Sequence, residues 1–294
     1  MLTLSIAWLV VPVPENAVIQ AIKEAFPLYY STLRLLTPPS ELGIPSGMHP
    51  VLVSNGFTDD IRQTVLQLKS PLLVSAVTVP YVGKGSRPTP LNAPIASYLV
   101  GTDEETNKYL YALAPNVVAT LFGSPTRLGE YAPEDVAYAV DTTLADGTKV
   151  FASNSAWAKV PNFITGPGVY IENVDMRFTT LNTTETTPRY NATMLKKIIN
   201  QPFLLSLPLA LRCQRNTYYF NNASAEVTFR TGNVTIGDAS TPFTLGTFRK
   251  ASQDGYGHFE GVQGFSACAQ MVGYNTLLGQ DCEEAAGGVD PAAL

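Results

Sequence analysis

The sequence predicts an α+β protein built mainly from antiparallel strands. Three observations carry this. Of its 294 residues only 15% are charged, while Gly and Pro number 22 each, a composition of many short strands joined by turns rather than of long surface helices. Runs rich in β-branched residues recur along the whole length, with Leu72 to Val82 the clearest. Helical spacing, by contrast, is confined to a few short stretches.

Taken in order, Leu2 to Val13 reads as a buried strand ended by Pro12 and Pro14. Its apolar run has no basic leader or Ala-x-Ala cleavage site, and it is too short to span a bilayer; it fits a strand left as a new N-terminus by removal of a signal peptide. Glu15 to Phe26 places Val18, Ile19, Ile22, Ala25 and Phe26 on one face of a helix that Pro27 stops. Leu36 to His49 is loop and Pro50 to Ser54 a short strand. Asp59 to Leu68 shows Ile61, Val65 and Leu68 at helical spacing behind a Thr58 or Asp59 cap. Gly83 to Pro94 is a Pro/Gly loop before strand sequence resumes at Ile95.

Beyond a polar insertion at Thr102 to Asn107, two strands between Asp135 and Ala158 meet at Ala145-Asp146-Gly147-Thr148, where Asp-Gly suits a hairpin that needs positive φ. Val169 to Phe178 is another strand and Met194 to Ile199 a helical turn or two. Short strands are expected at Phe203 to Cys213, Ala225 to Arg230, Val234 to Ile236 and Phe243 to Phe248, with a last strand-rich segment at Val262 to Leu278. Residues 1–280 are read as a single domain. The small, acidic stretch at 281–294 is expected to be disordered.

Net charge of −5 without a basic cluster excludes nucleic acid as an expected partner. No membrane partner is expected either, and the oligomeric state is open. Three cysteines (Cys213, Cys268, Cys282) allow one internal disulfide at most, in no pairing that spacing decides. With two histidines and no Cys-x-x-Cys, neither a metal nor another cofactor is expected. Four Asn-x-Ser/Thr sequons, at Asn182, Asn191, Asn222 and Asn233, cluster in one polar third of the chain. They point to the secretory pathway and a secreted glycoprotein, the alternative being the cytoplasm.

Two stretches carry candidate chemistry. In Gly255-Tyr256-Gly257-His258-Phe259-Glu260-Gly261, an extended strand would put His258 and Glu260 on one face within acid/base reach of a common pocket; the plain alternative is an exposed turn with a solvated histidine. The other is Leu121-Phe122-Gly123-Ser124-Pro125-Thr126-Arg127-Leu128-Gly129. Here Gly123 and Pro125 make a turn between two strand-like runs and hold Thr126 and Arg127 at a fixed point.

That second stretch resembles the active-site turn of the acetoacetate decarboxylase family, roughly Tyr-Pro-Lys-Lys-Leu-Gly. The proline, a cation, the leucine and the glycine are kept. The first lysine of the family, which forms a Schiff base, is replaced by Thr126, and its cationic neighbour by Arg127. The family's Gly-Arg-Glu motif gives way to Val118-Ala119-Thr120-Leu121, and the arginine closing its first strand to the uncharged Val10 to Val13. Shorter likenesses follow in the family's order at the opening strand and helix, at Gln201 to Pro208, and at Val262 to Leu278. The resemblance implies strands curled into a cone-like barrel around a ligand cavity, with a few peripheral helices.

The frame without the nucleophile implies an enzyme that forms no covalent intermediate: a cyclase, isomerase or lyase acting on an apolar, carbonyl-bearing small metabolite of secondary metabolism. A pericyclic cyclisation belongs to this class, because holding a reactive conformer needs no nucleophile. Arg127 would stabilise developing negative charge, and Thr126 with Tyr98, Tyr109, Tyr111 and Phe122 would line the substrate. Two alternatives stand beside it: an inactive small-molecule binding barrel, and a decarboxylase using another lysine, Lys108 being nearest.

Overall fold

The computed structural model describes residues 2–63, 66–68, 71–101, 117, 126–132, 139–159, 169–205, 212–220, 227–237, 245–274 and 278–294. It is an α+β fold whose main element is one large, mainly antiparallel sheet of 14 strands.

The organising strand is β1 (Leu2–Pro14), followed directly by helix α1 (Glu15–Ala25). After β2 (Leu33–Leu35) come β3 (Met48–Asp59) and a small hairpin, β4 (Ile61–Gln63) and β5 (Leu66–Leu68). Two long strands, β6 (Leu72–Lys84) and β7 (Leu91–Gly101), precede β8 (Thr126–Ala132), β9 (Ala139–Thr143), β10 (Lys149–Lys159) and β11 (Val169–Thr180). Helix α2 (Ala192–Ile199) leads to the short β12 (Phe203–Leu204), β13 (Cys213–Gln214) and β14 (Asn216–Tyr219). The chain closes with β15 (Thr228–Ile236), α3 (Leu245–Ala251), β16 (His258–Gly273) and α4 (Cys282–Gly287).

Pairing runs β13-β12-β7-β8-β10-β11-β15-β16-β1-β3-β6-β2, with β14 on β16, β9 on β10 and a further β6–β7 pairing. Among the described residues only β12–β7 and β7–β8 pair in parallel. Strand β1 lies between β16 (Leu2 opposite Met271 to Val10 opposite Gln263) and β3 (Thr3 opposite Asp59 to Pro14 opposite Met48). Glycines let both neighbours approach it. A Cβ on Gly56 would stand 2.2 Å from the Ser5 carbonyl oxygen, and one on Gly264 1.9 Å from that of Trp8.

Side chains alternate across β1 and so divide the apolar residues into two layers. Ala7, Leu9, Val11 and Val13 join Val53, Val77, Val79, Met176, Phe178 and Ile236 on one face, where α1 (Val18, Ala21, Ile22) and α3 (Leu245, Phe248) also pack. Ile6, Trp8 and Val10 join Phe265 and Phe220 on the other, covered by Leu195, Ile198 and Ile199 of α2. The Asn191 side chain caps α2 by accepting from the Met194 N–H at 2.8 Å.

Several local expectations are corrected. Asp59 to Leu68 is not helical: β3 continues to Asp59, Asp60 takes a positive φ of 50°, and the chain folds back as the β4–β5 hairpin. Asp59 pairs with Thr3 of β1, and Ile61 to Gln63 pair with Leu66 to Leu68, so cross-strand pairing overrides the helical spacing. Residues 245–251 form α3 instead of a strand, because Leu245 and Phe248, three apart, are both buried. The strands expected at Ala225 to Arg230 and Val234 to Ile236 are one, β15, running through Gly232. Residues 281–294 are ordered, in α4 and a final 3-10 turn. Burial of Cys282, Ala285 and Ala293 and the Cys213–Cys282 disulfide hold them down despite their polar composition.

At the far end of β3, His49 is buried, and its Nε2 lies 2.8 Å from the Pro80 carbonyl oxygen, to which it donates. Burial lowers its pKa below 6.5, opposed by the bond to Pro80 and by the charge of Glu15. The unfolded chain therefore takes up this proton first on acidification. The contribution of His49 to stability is full above pH 6.5 and is lost as pH falls below it toward the folded-state value. In urea unfolding followed by circular dichroism, the wild type is expected to lose more stability below pH 6.5 than His49→Gln, whose amide keeps a donor for Pro80.

Candidate functional site

On the face that carries Leu9 and Val53, five buried polar side chains meet at one level: Asn55 of β3, Ser75 of β6, Ser153 and Ser155 of β10, and Asn173 of β11. Asn55 Nδ2 donates to Ser153 Oγ at 3.1 Å. The Ser155 hydroxyl lies 3.2 Å from Ser75 Oγ and 3.0 Å from the Val174 carbonyl oxygen, and it accepts from Asn173 Nδ2 at 3.2 Å. Strands β3 and β6 are not neighbours of β10 in the sheet, so these bonds cross a concave face. Asn173 is the extra residue where the β10–β11 register shifts, since Ser155 faces Val174 and Ala156 faces Glu172. A bulge of this kind re-aims a side chain.

The Oδ1 atoms of Asn55 and Asn173 have no hydrogen-bond partner among the described residues. Turning either amide over changes which terminal atom is left, not the shortfall. A buried polar atom without a partner costs about 1–3 kcal/mol. The cluster is thus a place where the fold carries hydrogen-bonding capacity that its own side chains do not use.

Backbone register extends this level across four strands. Asn55 faces Ser75, Ser75 faces Tyr98, and Tyr98 faces Arg127 on the parallel strand β8. Tyr98 is buried in the same layer. Backbone register therefore sets Tyr98 and Arg127, two of the residues named from sequence, in one row with Asn55 and Ser75. Thr126 and Arg127 do not share a turn, however: both lie within β8, which begins at Thr126. Consecutive strand residues belong to opposite faces. Thr126 falls in the row Ser54, Ala76, Ser97, on the other side of the sheet.

His258 and Glu260 lie elsewhere. They alternate at the start of β16, both exposed, eight residues or roughly 26 Å along that strand from Ser266, where the Arg127 row crosses it. His258 Nδ1 is 2.5 Å from Asp254 Oδ2. The Ser252 hydroxyl, the Tyr256 N–H and His258 together hold the Asp254 carboxyl well below the usual carboxylate range. A solvent-facing cleft of about 450 Å³, edged by Pro12, Pro14 and Met48, carries all three side chains. The expected sharing of one side by His258 and Glu260 holds; a common site with Arg127 does not follow.

Tyr109, Tyr111, Phe122, Lys108 and Asn222 lie outside the described residues. The sequon residues Asn182, Asn191 and Asn233 are exposed. In each the Oδ1 atom is engaged, with Thr184, with Met194 and with Gly261 respectively. Asn55, Ser75, Ser153, Ser155 and Asn173 were not singled out from sequence. Their signal is a polar residue at the inward phase of an apolar strand, as in Val51-Leu52-Val53-Ser54-Asn55.

No family model matches the chain, and no curated protein matches it. Among solved structures it is similar to one described as "Structural Studies of Acetoacetate Decarboxylase", with a TM-score of 0.44 and 12% identity, over 94% of this chain and 91% of that one. That is a coarse likeness of fold, from which no chemistry passes to this chain.

Ser155→Ala removes the hydroxyl that receives Asn173 and leaves that amide unpaired in the interior. It is expected to destabilise the protein by about 1–3 kcal/mol in urea unfolding. The equivalent change at the exposed Thr184 should stay within about 0.5 kcal/mol.

Proposed function

We propose that the concave face curls into a cone-like barrel around a small-molecule site, and that the protein is an enzyme acting there without a covalent intermediate. Support for the barrel comes from the β6–β7 pairing, which joins β6 to the strand at the other end of the run, and from the hydrogen bonds that reach β10 from β3 and β6. The observation that carries the function is the register row Asn55, Ser75, Tyr98, Arg127, which sets a permanent cation level with buried, under-used hydrogen-bonding groups.

The chemistry follows from the residue types. A guanidinium stays protonated and offers a planar fork of donors, so Arg127 suits a carbonyl oxygen on which negative charge develops. It has no amine to form an imine, and Thr126 offers only a hydroxyl. The amide oxygens of Asn55 and Asn173 would accept from a hydroxyl or enol of the substrate and fix its conformation. Fixing a reactive conformer supplies rate without a nucleophile. The best fit is a cyclase, isomerase or lyase acting on an apolar metabolite that bears a carbonyl.

The test joins trapping to turnover. Native mass spectrometry identifies a co-purified metabolite, which is then incubated with the protein and resolved by chiral chromatography. A new product is expected, and borohydride added during turnover should leave the protein mass unaltered. Arg127→Ala is expected to lower kcat/KM by about 10²–10³-fold, as loss of a charge-stabilising donor does, while Lys108→Ala should not. An adduct mapped to a lysine would overturn the mechanism. Return of the metabolite unchanged would leave a binding protein.

We also propose passage through the secretory pathway. The buried Cys213–Cys282 disulfide suits an oxidising compartment, and the three described sequons are exposed. No helix among the described residues is long and apolar enough to cross a membrane. In Asn182, Asn191 and Asn233 the side-chain carbonyl oxygen accepts a backbone hydrogen bond, leaving the amide nitrogen as the atom to carry sugar. Material secreted by a eukaryotic host is expected to lose mass on endoglycosidase treatment, and to lose less once all three are changed to Gln.

A further inference from the structure

The face of the sheet opposite the polar row holds a separate cavity of about 340 Å³. One wall is sheet: Ile6 and Trp8 of β1, Leu52 and Ser54 of β3, Val74 and Ala76 of β6, Ser97 and Leu99 of β7. The other includes Ile199 at the end of α2, Phe203 and Leu204 of β12 with Leu205, and Gln214, Asn216 and Tyr218 of β13 and β14. Alternation along each strand explains the separation. Trp8, Ser54, Ala76 and Ser97 form one register row, immediately beside the row of Ala7, Asn55, Ser75 and Tyr98 on the other face.

The chemistry of the wall is specific. Among the described residues none that lines the cavity is acidic, basic or a histidine. The Thr58 hydroxyl donates to the Leu72 carbonyl at 3.4 Å and the Ser54 hydroxyl is 3.5 Å from that of Ala76, so these two turn their protons to backbone. Tyr218 differs. Its ring meets Trp8 edge-on, its backbone N–H donates to Asn200, and its hydroxyl has no hydrogen-bond partner among the described residues. Burial pushes its pKa up to about 12, so the hydroxyl stays protonated and able to donate. The volume is at the small end of the ~300–1,000 Å³ usual for ligand pockets, room for a substituted bicyclic molecule.

We propose that this cavity is a second, independent binding site for a small, uncharged, largely apolar molecule carrying one hydrogen-bond acceptor, which receives the Tyr218 hydroxyl. A charged ligand is disfavoured, because a desolvated charge would meet no counter-charge on the described wall. The site goes beyond the proposed activity and does not rest on it, since the two occupy opposite faces of the sheet.

The test uses 6-propionyl-2-(dimethylamino)naphthalene, a neutral bicyclic ketone whose emission shifts to the blue in apolar surroundings. Saturable one-to-one binding with blue-shifted emission and quenching of tryptophan is expected. Trp8→Phe should weaken energy transfer to the probe. Ala76→Leu and Val74→Phe fill the cavity from two positions of β6, and each should weaken binding at least tenfold with the melting temperature little changed. Tyr218→Phe should weaken it roughly two- to tenfold, the worth of one hydrogen bond. Absence of saturable binding to the wild type, or undiminished affinity in either well-folded filling variant, would overturn the proposal. Turnover in the concave site is read separately, by product formation, so failure of one leaves the other standing.

Discussion

The constraint on which the structure depends is the register of β1. Held between β3 and β16 along most of its length, this strand sends Ala7, Leu9, Val11 and Val13 to one face and Ile6, Trp8 and Val10 to the other. A slip of one residue would exchange the two sets, placing tryptophan where alanine packs. Gly56 and Gly264 reinforce the fit: the backbone of β1 occupies the space where side chains at those positions would stand. Both layers inherit their phase from this strand.

The same phase separates two kinds of chemistry. One residue along β6, from Ser75 to Ala76, leads from a buried polar cluster to an apolar cavity. One residue along β8, from Arg127 to Thr126, makes the same crossing in register. A single sheet therefore presents two faces of different chemistry. Substitutions on one can be compared with substitutions on the other in the same molecule.

Much of the architecture was legible because it is local. The apolar runs of β1 and β6, the spacing of α1 and the Asp-Gly turn at Asp146-Gly147 each state their conformation within a few residues. What was not legible depends on partners distant in sequence. Residues 61–68 carry helical spacing yet fold as a hairpin beside β1, and 281–294 look soluble until Cys282 finds Cys213, 69 residues away. The site divides likewise. Arg127 was named because it lies in one distinctive stretch and Tyr98 as one of three tyrosine candidates, whereas Asn55, Ser75, Ser155 and Asn173 look like ordinary polar residues until strands far apart in the chain meet. His258 and Glu260 were placed on one side correctly, but proximity in sequence says nothing about the neighbours of that side.

The position of β1 also governs how the molecule is made. Strand β1 lies in the middle of the sheet, and one of its two neighbours, β16, is far downstream of it in the chain, with Leu2 facing Met271. One edge of β1 must therefore remain unpaired until β16 has been synthesised, exposing an apolar template for any strand nearby. Closing so long a loop is slow, because entropy is lost before the pairing can compensate. The central layer is therefore complete only once β16 is available, and until then β1 depends on whatever shields a bare strand from other nascent chains.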